Sequence, residues 1–189
     1  METDADVMRS ESKKIALCGI TGGLAATLML MGGILPFATF CAPAIAGILI
    51  VPVAIEYGKK IGMVLYLAIG ILSIVLVPDK EMALIFIFLL GYYPLLKAIL
   101  EHMHKKLLCI LAKFAVFNAS VLSMYGLILL IFPMGYITED FSGGGFWFAA
   151  VLLFMGNITF FIYDLAITRV IAVYCISIRP KLFKHVNNK

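Results

Sequence analysis

Charge is what this sequence has least of: 14% of its 189 residues are Asp, Glu, Lys or Arg, against 63% that are hydrophobic. Soluble domains run nearer a quarter charged and half apolar, and the mean hydropathy here is +1.07. A water-soluble core cannot hide that much apolar surface, so the solvent is lipid. Paired cysteines are lacking too. Cys18, Cys41, Cys109 and Cys175 stand singly, without CxxC spacing, which argues against a disulfide framework or zinc site and leaves apolar packing. There is no HExxH, no GxSxG and no Walker sequence, so a familiar enzyme or ATPase is not expected in this chain. Any energy for transport would come from an ion gradient or another subunit. No stretch alternates at period 2 as a barrel strand would, and no repeat relates the first half to the second. No cofactor is expected.

What is present is a series of apolar runs near the roughly 20 residues that cross a bilayer. The first is Ile15 to Leu35, stopped by Pro36. The second, about Ala42 to Ile55, is short and carries Pro43 and Pro52. The others are Ile61 to Val77, about Met82 to Leu96, Leu107 to Phe132, and about Phe146 to Ile178. The reading is an all-α integral membrane protein, a single bundle of six transmembrane helices spanning 15–178. A tail at 1–14 and a basic tail at 179–189 flank it. The opening "METDADVMRSESKK" is acidic before it is basic, and the apolar run after it lacks an A-x-A site, which reads as a cytosolic tail and a retained first helix.

Six spans place both termini on one side, and the basic residues say which. Arg9, Lys13, Lys14, Lys59, Lys60, Lys97, Lys105, Lys106, Arg179, Lys181, Lys184 and Lys189 fall on one side. The opposite connections hold only Lys80. Both termini are therefore expected in the cytosol of a multi-pass cell-membrane protein. The same bias accounts for the net charge of +4. The basic residues line membrane edges and form no continuous face with interleaved aromatics, so no nucleic acid is expected.

Polar groups in a membrane are costly and are the first candidates for function. Asp79, Lys80 and Glu81 follow Pro78 in an external hairpin. They either cap and solvate the next helix or share in binding an external solute. Lys80 is either neutralised by its neighbours or retained for an anionic solute. Asn118 and Asn157 fall mid-span, where an amide either bonds a neighbouring helix or lines a solute cavity. Asp164, Arg169 and Lys113 suggest a charge-paired cluster near the cytosolic boundary. Tyr92, Tyr93 and Lys97 read as an interfacial belt, with Pro94 bending the helix. The run Glu101-His102-Met103-His104 places its histidines two apart, on different helical faces, and reads as a solvated loop rather than a metal site. "SGGGF", Ser142 to Phe146, reads as a flexible external connection.

The first span is the most patterned. In "ALCGITGGLAATLMLMGG", Gly19 and Gly23, Gly22 and Ala26, and Cys18 and Gly22 stand four apart. These strips suit close helix approach, within the bundle or against a separate membrane subunit.

In size, in six spans with cytosolic ends, and in "KKIALCGITGGLAA", "LPFATFCAP" and "AIAGILIVPVAIEYGKKIG", the chain resembles the substrate-binding S components of energy-coupling factor (ECF) transporters. The resemblance implies a subunit that captures a small-molecule solute from outside, docks through its first helix to a transmembrane coupling subunit, and topples as two cytosolic ATPases act. Gly19, Gly22, Gly23 and Ala26 would then form the docking strip. The external span ends, with Asp79, Lys80, Glu81, Trp147 and Asn157, would border the solute. The other class of reading is a non-transporting membrane scaffold or assembly protein, whose polar groups only hold helices together.

Overall fold

The computed structural model describes residues 4–35, 38–101, 105–131 and 135–180. They are helical throughout their ordered elements, with no strand among the described residues. His102, Met103, His104 and the tail from Lys181 lie outside them. Among the described residues, five helical segments are long and apolar enough to cross a membrane: Glu11–Gly32, Lys59–Leu76, Lys80–Leu100, Lys106–Ile128 and Ala150–Ile178. Cys41–Tyr57 is a shorter apolar helix. Large apolar side chains stand exposed on the long helices, among them Ile20, Leu67, Ile71, Leu122, Phe154 and Ile162. Such faces suit hydrocarbon rather than water.

The chain divides into two compact units, Met1–Ala98 and Ile99–Lys189, where the sequence suggests one bundle. The first unit contains α1 (Asp4–Gly32), α2 (Cys41–Tyr57), α3 (Lys59–Leu76), α4 (Lys80–Ile85) and most of α5 (Tyr93–Leu100). The helix α1 reaches back to Asp4, well before the first apolar run, so much of the expected tail is helical. Small residues bring α1 and α2 together: Ala42, Ala46 and Gly47 are buried, and a Cβ on Gly32 would collide with Ala42. Pro43 sits in the first turn of α2, where no intrahelical donor is needed. Between α2 and α3 the chain turns at Gly58, whose φ of 88° lies in the left-handed region open to glycine. Ala25 and Met29 of α1, Ile50 and Val53 of α2, Ile69 of α3 and Met82 of α4 share one apolar core.

The expected fourth span is interrupted. A π-helical turn, Phe86–Leu90, joins α4 to a bend at Gly91 and Tyr92, and α5 resumes at Tyr93. Pro94 therefore lies in the first turn of α5, where a missing N–H costs least, instead of kinking a continuous helix. Tyr93 and Lys97 are buried, which corrects the reading of these two residues as part of an interfacial belt.

The second unit is built on α6 (Lys106–Ile131) and α7 (Gly135–Val173), the latter ending in a π-helical turn, Tyr174–Ile178. The pairings Lys113–Asp164 and Asn118–Asn157 descend in α7 as they ascend in α6, so the two helices are antiparallel. Phe117 stacks on Phe160 with centroids 4.4 Å apart, and Phe114 meets the same ring edge-on. The helix α7 runs unbroken through Ser142–Gly145, so the expected loop at "SGGGF" is helical backbone. Glycine costs only about 1 kcal/mol per residue in a helix, and context overrides so weak a preference.

Candidate functional site

Three polar or small-residue features are brought into defined geometry, two in the first unit and one in the second.

In the first unit, Pro78 and Asp79 separate α3 from α4. Asp79 Oδ1 accepts the Met82 N–H at 3.1 Å, an N-cap of the next helix, and Thr39 donates its hydroxyl to Oδ2 at 3.4 Å. Lys80 bends the other way. Its Nζ donates to the Ile74 carbonyl at 2.8 Å and to the Val77 carbonyl at 2.9 Å, so the ammonium closes the carbonyl end of α3. The last carbonyls of a helix have no intrahelical donor and carry the negative end of its dipole, which a cation suits. Glu81 is the exposed carboxylate of the trio, in the first turn of α4. The opposite end of the same unit has a similar device: Lys59 Nζ donates to the Ala98 carbonyl at 3.1 Å, near the end of α5.

Also in the first unit, the glycines of α1 divide between two faces. A Cβ on Gly22 would lie 3.0 Å from Leu65 Cδ1, so this strip faces α3. Ala26 beside it is half-buried. Gly19 and Gly23 are exposed, with nothing within 4 Å of a Cβ at either. Thr27 continues their spacing, its hydroxyl held by the Gly23 carbonyl at 2.8 Å. The first span therefore has one small-residue strip used inside the unit and another left open.

In the second unit, a polar seam runs between α6 and α7. The Asn118 amide donates to Asn157 Oδ1 at 3.0 Å, and the Asn157 amide donates back to Asn118 Oδ1 at 3.1 Å. Each amide's other N–H reaches its own helix, Asn118 to the Phe114 carbonyl and Asn157 to the Leu153 carbonyl, both at 2.8 Å. All four amide hydrogens are engaged. Farther along the seam, Lys113 Nζ donates to both oxygens of Asp164, at 3.1 and 3.2 Å, and to Glu101 Oε1 at 3.0 Å. The third member of the expected charge cluster is thus Glu101, from the run read as a solvated loop, in place of Arg169. A small cleft of about 60 Å³ adjoins the ion pair, walled by Ile110, Phe114, Phe160 and Phe161. It has room for a few waters. Trp147 is exposed on α7, ten residues and about 15 Å of helix from Asn157. The two do not share a contact surface within this unit.

Among the described residues no group of three or more His, Cys, Asp or Glu side chains is placed to hold a metal ion. No protein-family model, curated protein or solved structure matches the chain.

Proposed function

We propose that this chain is a six-span membrane protein, with both termini cytosolic, that captures a small solute from outside as an S-component-like subunit of an ECF-type micronutrient uptake transporter. It has no catalytic role of its own. A transmembrane coupling subunit and cytosolic ATPases supply the work. The observation that carries the reading is the open face of α1, where Gly19 and Gly23 leave a smooth, exposed track while Gly22 packs inward on Leu65. In lipid, small residues are what permit close approach of a second helix. The basic residues support the orientation, since Lys80 alone falls among the external connections and its ammonium is held by the end of α3. On this reading α2 completes the six crossings by lying nearly upright, and the external ends near Asp79, Lys80, Glu81 and Trp147 border the solute.

A second reading has its own support. Asn118 and Asn157 satisfy one another, and Asp79 and Lys80 serve helix ends, as they would in a scaffold whose polar groups only join helices. A thermal-shift screen of the detergent-purified chain against vitamins, nucleobases, amino acids and metal ions separates the two. A solute-capture subunit gains about 2.7 kcal/mol at ligand a hundredfold above its dissociation constant, and a scaffold gains nothing from any of them.

A further inference from the structure

The π-helical turn Phe86–Leu90 is closed by a bond from the Gly91 N–H to the Phe86 carbonyl at 2.7 Å, five residues back. In α-helical winding the same N–H would take the carbonyl four residues back, that of Ile87. That carbonyl already accepts the hydroxyl of Tyr66 on α3, at 2.7 Å. Tyr66 is buried, its ring 5.8 Å from Phe86 and 6.5 Å from Tyr92, so the hydroxyl is aimed by packing on both sides. Gly91 itself has φ −73° and ψ −44°, ordinary helical values that would serve either winding. Its lack of a side chain matters for a different reason. A Cβ there would lie 2.7 Å from the Phe86 carbonyl oxygen and 2.8 Å from the Phe86 ring.

We propose that the Lys80–Leu100 span is a two-state element in which Tyr66 is the latch: its hydroxyl draws the Ile87 carbonyl toward α3 and so favours the π turn, and its release lets the turn rewind as α-helix. A π turn contains one residue more than the α turn it replaces, so rewinding rotates α5 against α4 by about 100°, one residue's share of an α turn. Two contacts report that rotation. Leu95 Cδ2 lies where a Cβ on Gly62 would be 2.8 Å away, and the Ala98 carbonyl is held by Lys59. Both belong to the latched winding and are broken by the turn of α5. Met82 and Phe86, on the other side of the bend, stay in the core with α2. The proposal does not depend on the identity of any solute, and it stands if the chain is a scaffold.

The test is a distance measurement by pulsed electron paramagnetic resonance on the full chain in lipid nanodiscs. Spin labels are placed at the exposed positions Leu67 on α3 and Ala98 on α5, in a background with the four native cysteines replaced. Tyr66→Phe keeps the ring packing and removes only the competing hydroxyl. Gly91→Ala acts independently, by disfavouring the π winding. The parent chain should give one dominant distance, and each variant a second population of the same new distance. For Tyr66→Phe the ratio of the two windings should change by roughly five- to tenfold, the equivalent of one hydrogen bond. A second population in Gly91→Ala but not in Tyr66→Phe overturns the latch. One unchanged distance in both overturns the two-state element.

Discussion

Asn118 and Asn157 form a closed pair across α6 and α7, exchanging two hydrogen bonds of 3.0 and 3.1 Å while each also binds a carbonyl of its own helix. The arrangement leaves no amide hydrogen for a ligand, so the pair acts as a joint between helices in this state. For either side chain to donate to a solute, the pair would have to open.

The joint has a measurable strength. Asn118→Leu and Asn157→Leu each leave a partner amide without its cross-helix bond, whereas the double variant replaces both by apolar contact. The coupling between the two positions should be about 0.6 kcal/mol and no more than about 1.7, the range for hydrogen bonds between membrane helices. Unfolding of the four chains in mixed micelles by titration with a denaturing detergent gives that number. A coupling of zero would mean that the amides do not meet.

Lys113 and Asp164 make a costlier joint. Their side chains are 10% and 18% exposed, and Lys113→Met strands a carboxylate in an aromatic wall. Removing one partner of such a pair costs about 3–5 kcal/mol, and replacing both by apolar residues costs far less. Melting curves should therefore place Lys113→Met and Asp164→Leu below the parent chain, the second by less because Glu101 still pairs with Lys113, with Lys113→Met/Asp164→Leu between Lys113→Met and the parent. If the double variant melts below both singles, the pair is not a self-contained unit.

Lys80→Gln tests the hairpin. Loss of the cation from the carbonyl end of α3 should lower stability by about 0.3–1 kcal/mol, the usual worth of a charge at a helix terminus. It should not alter which side of the membrane the loop occupies, since basic residues on the opposite side dominate. Melting and a loop-accessibility assay check the two halves separately. A flipped loop would mean that Lys80 contributes to topology.

The places where the sequence was informative share a physical cause. Pro78 and Asp79 write their own local geometry, a stop and a cap, and both are found there. Mid-span Asn118 and Asn157 had to find partners because lipid offers none, and Lys113 with Asp164 followed from the same argument. What was hidden depends on atoms that carry no residue identity. Lys80 binds carbonyls of α3, an outcome outside the choice between its acidic neighbours and an anionic solute. Tyr66 binds a carbonyl freed by a π turn, for which the sequence has no spacing rule. Glu101 belongs to a run that reads as a solvated loop, and no spacing ties it to Lys113 twelve residues on. The glycines of "SGGGF" suggested a loop because their local preference is visible while the continuity of α7 around them is not.

The two strips of α1 should respond differently to bulk. Gly22→Leu must displace Leu65 and should destabilise the chain by about 1–3 kcal/mol, as overpacking does. Gly19→Leu and Gly23→Leu meet open space inside a helix and should not lower the melting temperature of the isolated chain.

That separation makes the central claim testable in one measurement. The tagged chain is purified from its native membrane in mild detergent, and ATP hydrolysis is measured in the eluate. The account predicts that ATPase activity co-elutes with the parent chain and is lost with Gly19→Leu/Gly23→Leu, although that variant melts no lower than the parent. Absence of ATPase activity from the parent eluate, or its full retention by the variant, would contradict the account.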